Sequence, residues 1–182
     1  MTPWVWFNRW RTSRGYGVHS PLGFRLVKNV VRPPRDVAYY GEERLDFFEG
    51  QVKDGGQRRR ARLLLRFVAE MQPSYIWASH GLPDIYREAI GLAGSAVRIF
   101  DGKAYPDRLK EADMIVADGR KATLGRRFSL KPGQSLIGLD LKPSVVSSIV
   151  KGMKGGVVLE YGDSLIAVAT NDEALHKYSV LF

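Results

Sequence analysis

The residues best placed to bind a ligand follow the first strongly apolar run of the chain. "YIWAS" predicts a buried strand and "PDIYREAIGLA" predicts a helix, and Ser79, His80 and Gly81 stand where the two join. In α/β proteins the backbone of such a turn and the N-terminus of the helix contact nucleotide-like cofactors. These turns usually contain two or three glycines, whereas this one contains only Gly81. The sequence therefore predicts a cofactor site in degenerate form.

Carboxylates follow three further predicted strands. Asp101 follows "AVRIF", Asp118 ends "DMIVAD" and Asp140 ends "SLIGLD". The carboxyl ends of parallel strands meet at one edge of a sheet, where open α/β folds bind ligands. Aspartate at a strand end is also ordinary turn and capping chemistry, so both interpretations stay open.

The chain has few residues for acid–base or nucleophilic catalysis. Its histidines are His19, His80 and His176, and their spacing gives none of them a catalytic partner. We expect His19 to fix the N-terminal segment through hydrogen bonds. The sequence contains no cysteine, no nucleophile elbow, no phosphate-binding loop and no zinc-type spacing. These absences exclude disulfides and thiolate metal sites.

An arginine run precedes the first strand. Arg58, Arg59, Arg60 and Arg62, with Arg66, lie on the predicted helix "QRRRARLLLRFVAEMQ". The run predicts either a stripe that contacts the phosphates of a nucleic acid or the solvated face of an amphipathic helix. The tryptophans of "MTPWVWFNRWRTSR" also allow two interpretations. They could stack on the bases of a nucleic acid or cover the core of the protein.

Charge divides the chain into two parts. Residues 1–72 carry 14 basic and 7 acidic residues, whereas residues 73–182 carry 14 and 12, within a total of +9. The first part could therefore meet nucleic acid or another anionic surface. No apolar run is long enough to span a membrane, and the N-terminus lacks the apolar core of a signal peptide. We expect a cytoplasmic protein.

Secondary-structure patterns agree with this division. Residues 1–72 predict a basic helical extension after an irregular start at 1–19, with Ser20 as N-cap and Pro21 as the first residue of a helix. Residues 73–182 alternate strands and helices and close with the hairpin "GGVVLEYGDSLIAVAT" and a last strand, "KYSVLF". The pattern predicts one structural domain, an α/β open sheet with helices on both faces and antiparallel C-terminal strands.

Several of these stretches resemble the bacterial class I S-adenosylmethionine-dependent methyltransferase-like proteins. "RGYGVHSPLGFRLVKNVV" resembles the N-terminal signature of one group of them, and "MIVADGRK" and "SLIGLD" resemble their fourth and fifth strands. The resemblance runs from about residue 9 to the end and implies a Rossmann-like fold. It implies that Ser79, His80, Gly81, Asp101 and Asp118 bind S-adenosylmethionine, with Asp101 holding the ribose hydroxyls.

The chain departs from this family at three places. Ala78 stands where the first strand should end in an acidic residue, and too few residues follow Asp101 for the expected strand–helix unit. In related metal-dependent enzymes, acidic residues at the positions of Asp118 and Asp140 bind a divalent cation, but Leu141 and Lys121 replace residues that usually accompany them. We therefore expect no metal.

Three functional hypotheses follow. The first is a methyltransferase-like protein that has lost or weakened binding of S-adenosylmethionine and acts as a binding or scaffold module. The second is an active methyltransferase with a shortened pocket, and the third is a basic nucleic-acid-binding protein on the same fold.

Overall fold

A seven-stranded mixed sheet with helices on both faces forms the protein. A computed structural model describes residues 3–34, 41–50, 52–94, 97–102, 106–119, 128–171 and 174–181. The strands are β1 (Tyr75–Ser79), β2 (Arg98–Gly102), β3 (Met114–Asp118), β4 (Ser135–Leu139), β5 (Gly156–Tyr161), β6 (Ser164–Ala169) and β7 (Leu175–Ser179).

Helices precede the sheet and alternate with its first strands. The α-helices are α1 (Pro3–Thr12), α2 (Pro21–Leu26), α3 (Glu42–Glu49), α4 (Gly55–Met71), α5 (Asp84–Ala93), α6 (Pro106–Glu111) and α7 (Pro143–Gly152), and a π-helical segment (Val27–Val31) continues α2.

The strand order is β2-β1-β3-β4-β6-β5-β7. The pairs β2–β1, β1–β3 and β3–β4 are parallel, and β6 runs antiparallel to both β4 and β5. This arrangement is compatible with a Rossmann-like open sheet. The last strand differs from the expectation of antiparallel C-terminal strands, because β7 pairs with β5 in parallel.

The β5–β6 hairpin explains why only β6 is reversed. Gly162 and Asp163 form its two-residue turn, and Gly162 has a φ of 55°, which a glycine adopts without steric cost. The hairpin predicted around "GD" is thus confirmed. The turn lies at the edge of the sheet where β4 also ends, because β4 and β5 both run antiparallel to β6.

The two faces of the sheet bury separate apolar clusters, as alternating side chains of a strand point to opposite faces. In β3, Met114 and Val116 pack with α4 and α5, whereas Ile115 packs with Ile149 of α7 and Leu109 of α6. The prediction of helices on both faces is confirmed. The first cluster also contains Leu26, Val27 and Val30, so the N-terminal helical segment shares its core with the sheet.

The first helix lies in a segment that the sequence predicts to be irregular. That segment covers residues 1–19, but Pro3–Thr12 form α1, and none of its residues is buried. Proline suits the first position of a helix, because the N–H that it lacks has no partner there in any case. The aromatic side chains project from this helix instead of anchoring it.

The beginning of α2 is as predicted. The Ser20 hydroxyl accepts a hydrogen bond from the Gly23 N–H at 3.2 Å, and Pro21 is the first helical residue. Leu26 is buried, whereas Phe24 is 44% exposed. The turn at Gly15 explains its position, since a Cβ added there would meet the Phe24 ring at 2.7 Å.

The connection between β2 and β3 is short. The only helix or strand described between Gly102 and Met114 is the six-residue helix α6. The family that the sequence resembles has a further strand–helix unit at this point. The described residues lack this unit, as the short stretch of sequence after Asp101 predicts. As a consequence, β2 is the outermost strand on its side of the described sheet.

Candidate ligand-binding edge of the sheet

The predicted site residues lie along one edge of the sheet. Ser79 ends β1 and Asp118 ends β3, and in the β1–β2 ladder Ala78 stands opposite Asp101. The chain passes from β1 to β2 on one side and returns to β3 on the other. Such a change of direction opens a crevice at the carboxyl ends of β1 and β3, which is where ligands bind in open α/β sheets.

A hydrogen bond joins the ends of β1 and β3 at this edge. The Ser79 hydroxyl accepts a hydrogen bond from the Asp118 N–H at 3.0 Å, which ties the end of β1 to the end of β3. Ser79 is 1% exposed and Asp118 is fully buried. Ala78 and Leu82 are buried on either side of this contact. The side chain of Ser79 thus joins the ends of two neighbouring strands at the predicted site.

The turn after β1 keeps one feature of a ligand-binding turn. Gly81 has a φ of 72°, a conformation that side chains other than glycine rarely adopt. His80 is exposed beside it, and α5 begins three residues later at Asp84. The turn therefore has its glycine for a backbone reason that holds with or without a ligand.

The Asp118–Gly119 pair, which matched the family's fourth strand, is explained by packing. The Gly119 N–H donates a hydrogen bond to the Leu139 carbonyl at 2.7 Å. A Cβ at Gly119 would lie 2.2 Å from the carbonyl oxygen of Asp140, far inside van der Waals contact. The ends of β3 and β4 approach so closely that only glycine fits.

A partly buried ion-pair cluster lies at the same edge, between the ends of β4 and β5. The Arg60 guanidinium contacts Oδ1 of Asp140 at 2.8 Å and hydrogen-bonds Oδ2 of Asp163. The Arg60 side chain is only 15% exposed. Asp140 has a φ of 54°, so the backbone turns sharply where it contributes this carboxylate. We call Arg60, Asp140 and Asp163 the arginine cluster.

The electrostatics of the arginine cluster favour its charged form. Burial disfavours the charge on Arg60, but hydrogen bonds to Asp163 and Tyr86 and the charges of Asp163 and Asp140 outweigh it and raise the pKa of the guanidinium. Burial likewise opposes the charge on Asp163, yet the hydrogen bond and charge of Arg60 lower the pKa of this carboxyl. The cluster thus holds one guanidinium between two carboxylates at neutral pH.

The arginine cluster involves one of the two carboxylates, Asp118 and Asp140, that could have bound a divalent cation. The guanidinium of Arg60 already pairs with the carboxylate of Asp140. The positive charge of Arg60 would repel a metal ion bound to the same carboxylate. Within the described residues, no group of three or more histidine, aspartate or glutamate side chains could hold a metal ion. Lys121 lies outside the described residues. The described residues therefore do not fit a divalent cation.

Carboxylates neutralise much of the predicted arginine stripe. Besides Arg60, Arg62 pairs with Asp46 at 2.8 Å and Arg66 pairs with Glu42 at 2.6 Å. Asp46 and Glu42 lie on α3, whereas the partners of Arg60 lie at the edge of the sheet. The ion pairs therefore join α4 to both of these neighbours. Arg59 is exposed and Arg58 is half-buried. Binding of nucleic acid through this helix stays a prediction.

A cleft of about 310 Å³ lies beside the arginine cluster, away from the β1 turn. The β5–β6 turn forms one side and the first turns of α4 form the other. The sequence did not predict it, because no spacing rule links Arg9, α4 and a hairpin turn. Its lining residues include Arg9, Gly56, Arg59, Arg60, Tyr161 and Asp163.

The remaining histidines have structural neighbours. The backbone N–H groups of His19 and Ser20 both donate to the Tyr178 hydroxyl at 3.2 Å. His19 thus joins the N-terminal segment to β7 through its backbone. The ring of His176 stacks on the ring of Tyr178.

Comparison with known proteins gives no family for this chain. No protein-family model matches it, and no curated protein is similar to it in sequence. In the described part of the chain, no helix is long and apolar enough to cross a membrane.

Proposed function

We propose that this protein is a methyltransferase-like binding module that no longer binds S-adenosylmethionine. The observation that carries the proposal is the contact between Ser79 and Asp118, both buried, at the point where the strand order reverses. A cofactor that used the Ser79 hydroxyl or the Asp118 backbone N–H as a ligand would have to compete with this hydrogen bond.

Two further observations support the loss of the cofactor. Ala78 offers no carboxylate at the end of β1, and losing a charged hydrogen bond to the cofactor costs about 1.5–3 kcal/mol, roughly ten- to a hundredfold in affinity. Beyond β2, the described chain has no strand–helix unit that could complete a pocket for an adenine ring. Both observations count against binding of S-adenosylmethionine.

The order of the strands supports descent from a methyltransferase-like sheet. The stretches that resemble the fourth and fifth strands, β3 and β4, follow β1 in parallel, and the closing hairpin inserts β6 beside β4. The fold thus keeps the segments on which the resemblance rests. What remains accessible for binding is the surface outside the crevice.

Titration with S-adenosylmethionine and S-adenosylhomocysteine tests the proposal. We expect no saturable heat and no rise in the melting temperature at millimolar ligand. A ligand at about a hundred times its Kd adds about 2.7 kcal/mol, which would raise the melting temperature by roughly 5–11 °C for a chain of this size. Such a rise, abolished by Asp101→Ala but retained in Lys110→Ala, would contradict the proposal and revive the enzyme hypothesis.

A further inference from the structure

Exposed apolar side chains are concentrated at the N-terminal end of the described chain. Of the eight large apolar side chains that are exposed among the described residues, six lie between residues 4 and 24. The most exposed of these six are Trp4 at 68% and Tyr16 at 61%. We call the following residues the aromatic patch: Trp4, Trp6, Phe7, Trp10, Tyr16 and Phe24.

The aromatic patch begins with a helical turn that is apolar on every side. Residues 4–7 are Trp-Val-Trp-Phe, and successive residues of a helix point about 100° apart, so these four surround the axis. A helix that docks on a protein core has one apolar stripe. This turn instead resembles a tip that enters an apolar medium from several sides.

The other end of α1 is fixed to the body of the protein. The Ser13 hydroxyl accepts a hydrogen bond from the Leu181 N–H at 2.6 Å and donates one to the Arg9 carbonyl. The Phe24 ring packs on the turn at Gly15. The tip of α1 is therefore presented outward from an anchored base.

Only positive charge accompanies the patch. Residues 1–34 contain six basic and no acidic residues. Arg11 lies over the Phe7 ring and Arg14 lies over the Trp10 ring at 4.2 Å. Lys28 lies 5.9 Å from the Phe24 ring centre. The surface therefore complements a partner that is apolar inside and anionic outside.

We propose that α1 and the aromatic patch dock this protein on an anionic membrane surface, which would make a bilayer the partner of the proposed binding module. Tryptophan favours the boundary between headgroups and acyl chains, where its ring is apolar and its N–H is hydrated. Trp4 and Arg11 are seven residues apart, about 10 Å along the helix axis, so the apolar tip can enter the bilayer surface while the arginines stay near its charged headgroups. The arginines at the base then meet lipid phosphates.

The contacts within the patch favour a bilayer over a single-stranded nucleic acid. Bases stack on open ring faces. The Trp10 ring already stacks on Trp6 and Phe7 and is covered by Arg14, and Trp4 packs on Phe7. Rings packed on one another form a continuous apolar tip instead of separate stacking platforms.

Co-sedimentation of the full chain with vesicles tests the docking surface. We expect binding to vesicles of equimolar phosphatidylcholine and phosphatidylserine and little binding to phosphatidylcholine alone. Trp4→Ser with Trp6→Ser should weaken binding by about tenfold or more. Arg11→Gln with Arg14→Gln should weaken it by about tenfold. Tryptophan fluorescence should shift to the blue on binding, since Trp77 is already buried and the other three tryptophans lie in α1.

Matched controls use equally exposed residues elsewhere. Phe47→Ser removes a side chain that is 72% exposed on α3, and Lys151→Gln with Lys154→Gln removes two exposed charges near the end of α7. We expect these variants to bind as the unaltered protein does. Equal losses in the control and patch variants would overturn the proposal, as would equal binding to both kinds of vesicle.

The same variants can also reveal two other kinds of partner. Binding of a single-stranded oligonucleotide that Trp4→Ser with Trp6→Ser abolishes, without vesicle binding, would replace the bilayer with a nucleic acid. A dimer in sedimentation velocity that the same substitutions dissolve, again without vesicle binding, would replace it with a second copy. Titration with S-adenosylmethionine separates the two proposals. If the protein binds both vesicles and the cofactor, the proposed loss of cofactor binding is wrong and the membrane-docking proposal stands.

Discussion

Arg60 is the residue on which the carboxyl edge of the sheet depends most. It joins Asp140, which follows β4, to Asp163 in the β5–β6 turn, and its side chain is only 15% exposed. Removing one partner of such a pair leaves the opposite charges in a poorly hydrated place, which costs more than the pair itself contributes. The stability of this edge therefore depends on the guanidinium.

Arg60→Met should destabilise the protein by about 2 kcal/mol, because Asp140 and Asp163 lose their compensating charge. Arg59→Met changes the neighbouring exposed residue and should stay within about 0.5 kcal/mol of the unaltered protein. Urea denaturation at neutral pH measures both. Equal effects of the two substitutions would contradict this role of Arg60.

The pH dependence gives a second readout of the same pair. Because Arg60 lowers the pKa of Asp163, the contribution of this carboxylate is complete above its ordinary pKa of 3.8 and is lost as the pH falls through the lower folded value. In Arg60→Met, stability should fall less steeply below about pH 4. The Asp163 side chain is half exposed, so solvent keeps this difference small.

At the scale of elements, the ends of β3 and β4 are held at a distance that only glycine allows. Gly119→Ala should destabilise the protein by about 2–3 kcal/mol, because its Cβ would clash with the Asp140 carbonyl and spread the two strands. Gly91→Ala is the matched control, since Gly91 lies in α5 with no atom within 4 Å of an added Cβ. This change should stabilise the protein by about 0.5–1 kcal/mol. Melting temperatures that move in the same direction would contradict the packing argument.

Local patterns predicted most of the elements. The Ser20 cap, the apolar side of α4 and the alternation after Pro73 each depend on neighbours within a few positions of the chain. The two failures, α1 and the direction of β7, depend on something else. In α1 the aromatic residues are exposed, so no apolar stripe marks the helix, and the direction of β7 depends on pairing with a strand 20 residues away in sequence.

At the scale of the whole molecule, the N-terminal segment is tied to the last strand. Tyr178 accepts hydrogen bonds from His19 and Ser20, and Ser13 accepts one from Leu181. These contacts link parts of the chain that are more than 150 residues apart. They fix the base of α1 and hence the direction in which the aromatic patch points.

Tyr178→Phe should loosen this connection selectively, because it removes the acceptor of two backbone N–H groups. We expect amide hydrogen exchange to accelerate at His19 and Ser20 and to stay unchanged in β1 and β3, which other strands of the sheet separate from β7. Tyr16→Phe, which alters an exposed ring in the patch, serves as control. Faster exchange throughout the sheet would show instead that Tyr178 supports the whole fold.

The sequence by itself determined the α/β class, the helices on both faces, the short connection after β2 and the set of residues that reaches the carboxyl edge. These follow from apolar periodicity and from strand ends, which are local properties. Only the tertiary structure decided that Ser79 closes against Asp118, that Arg60 pairs with Asp140 and Asp163, and that the tryptophans of α1 face outward. Each of these depends on which distant segments meet, and the free energy of such contacts is set by the packing of the complete fold.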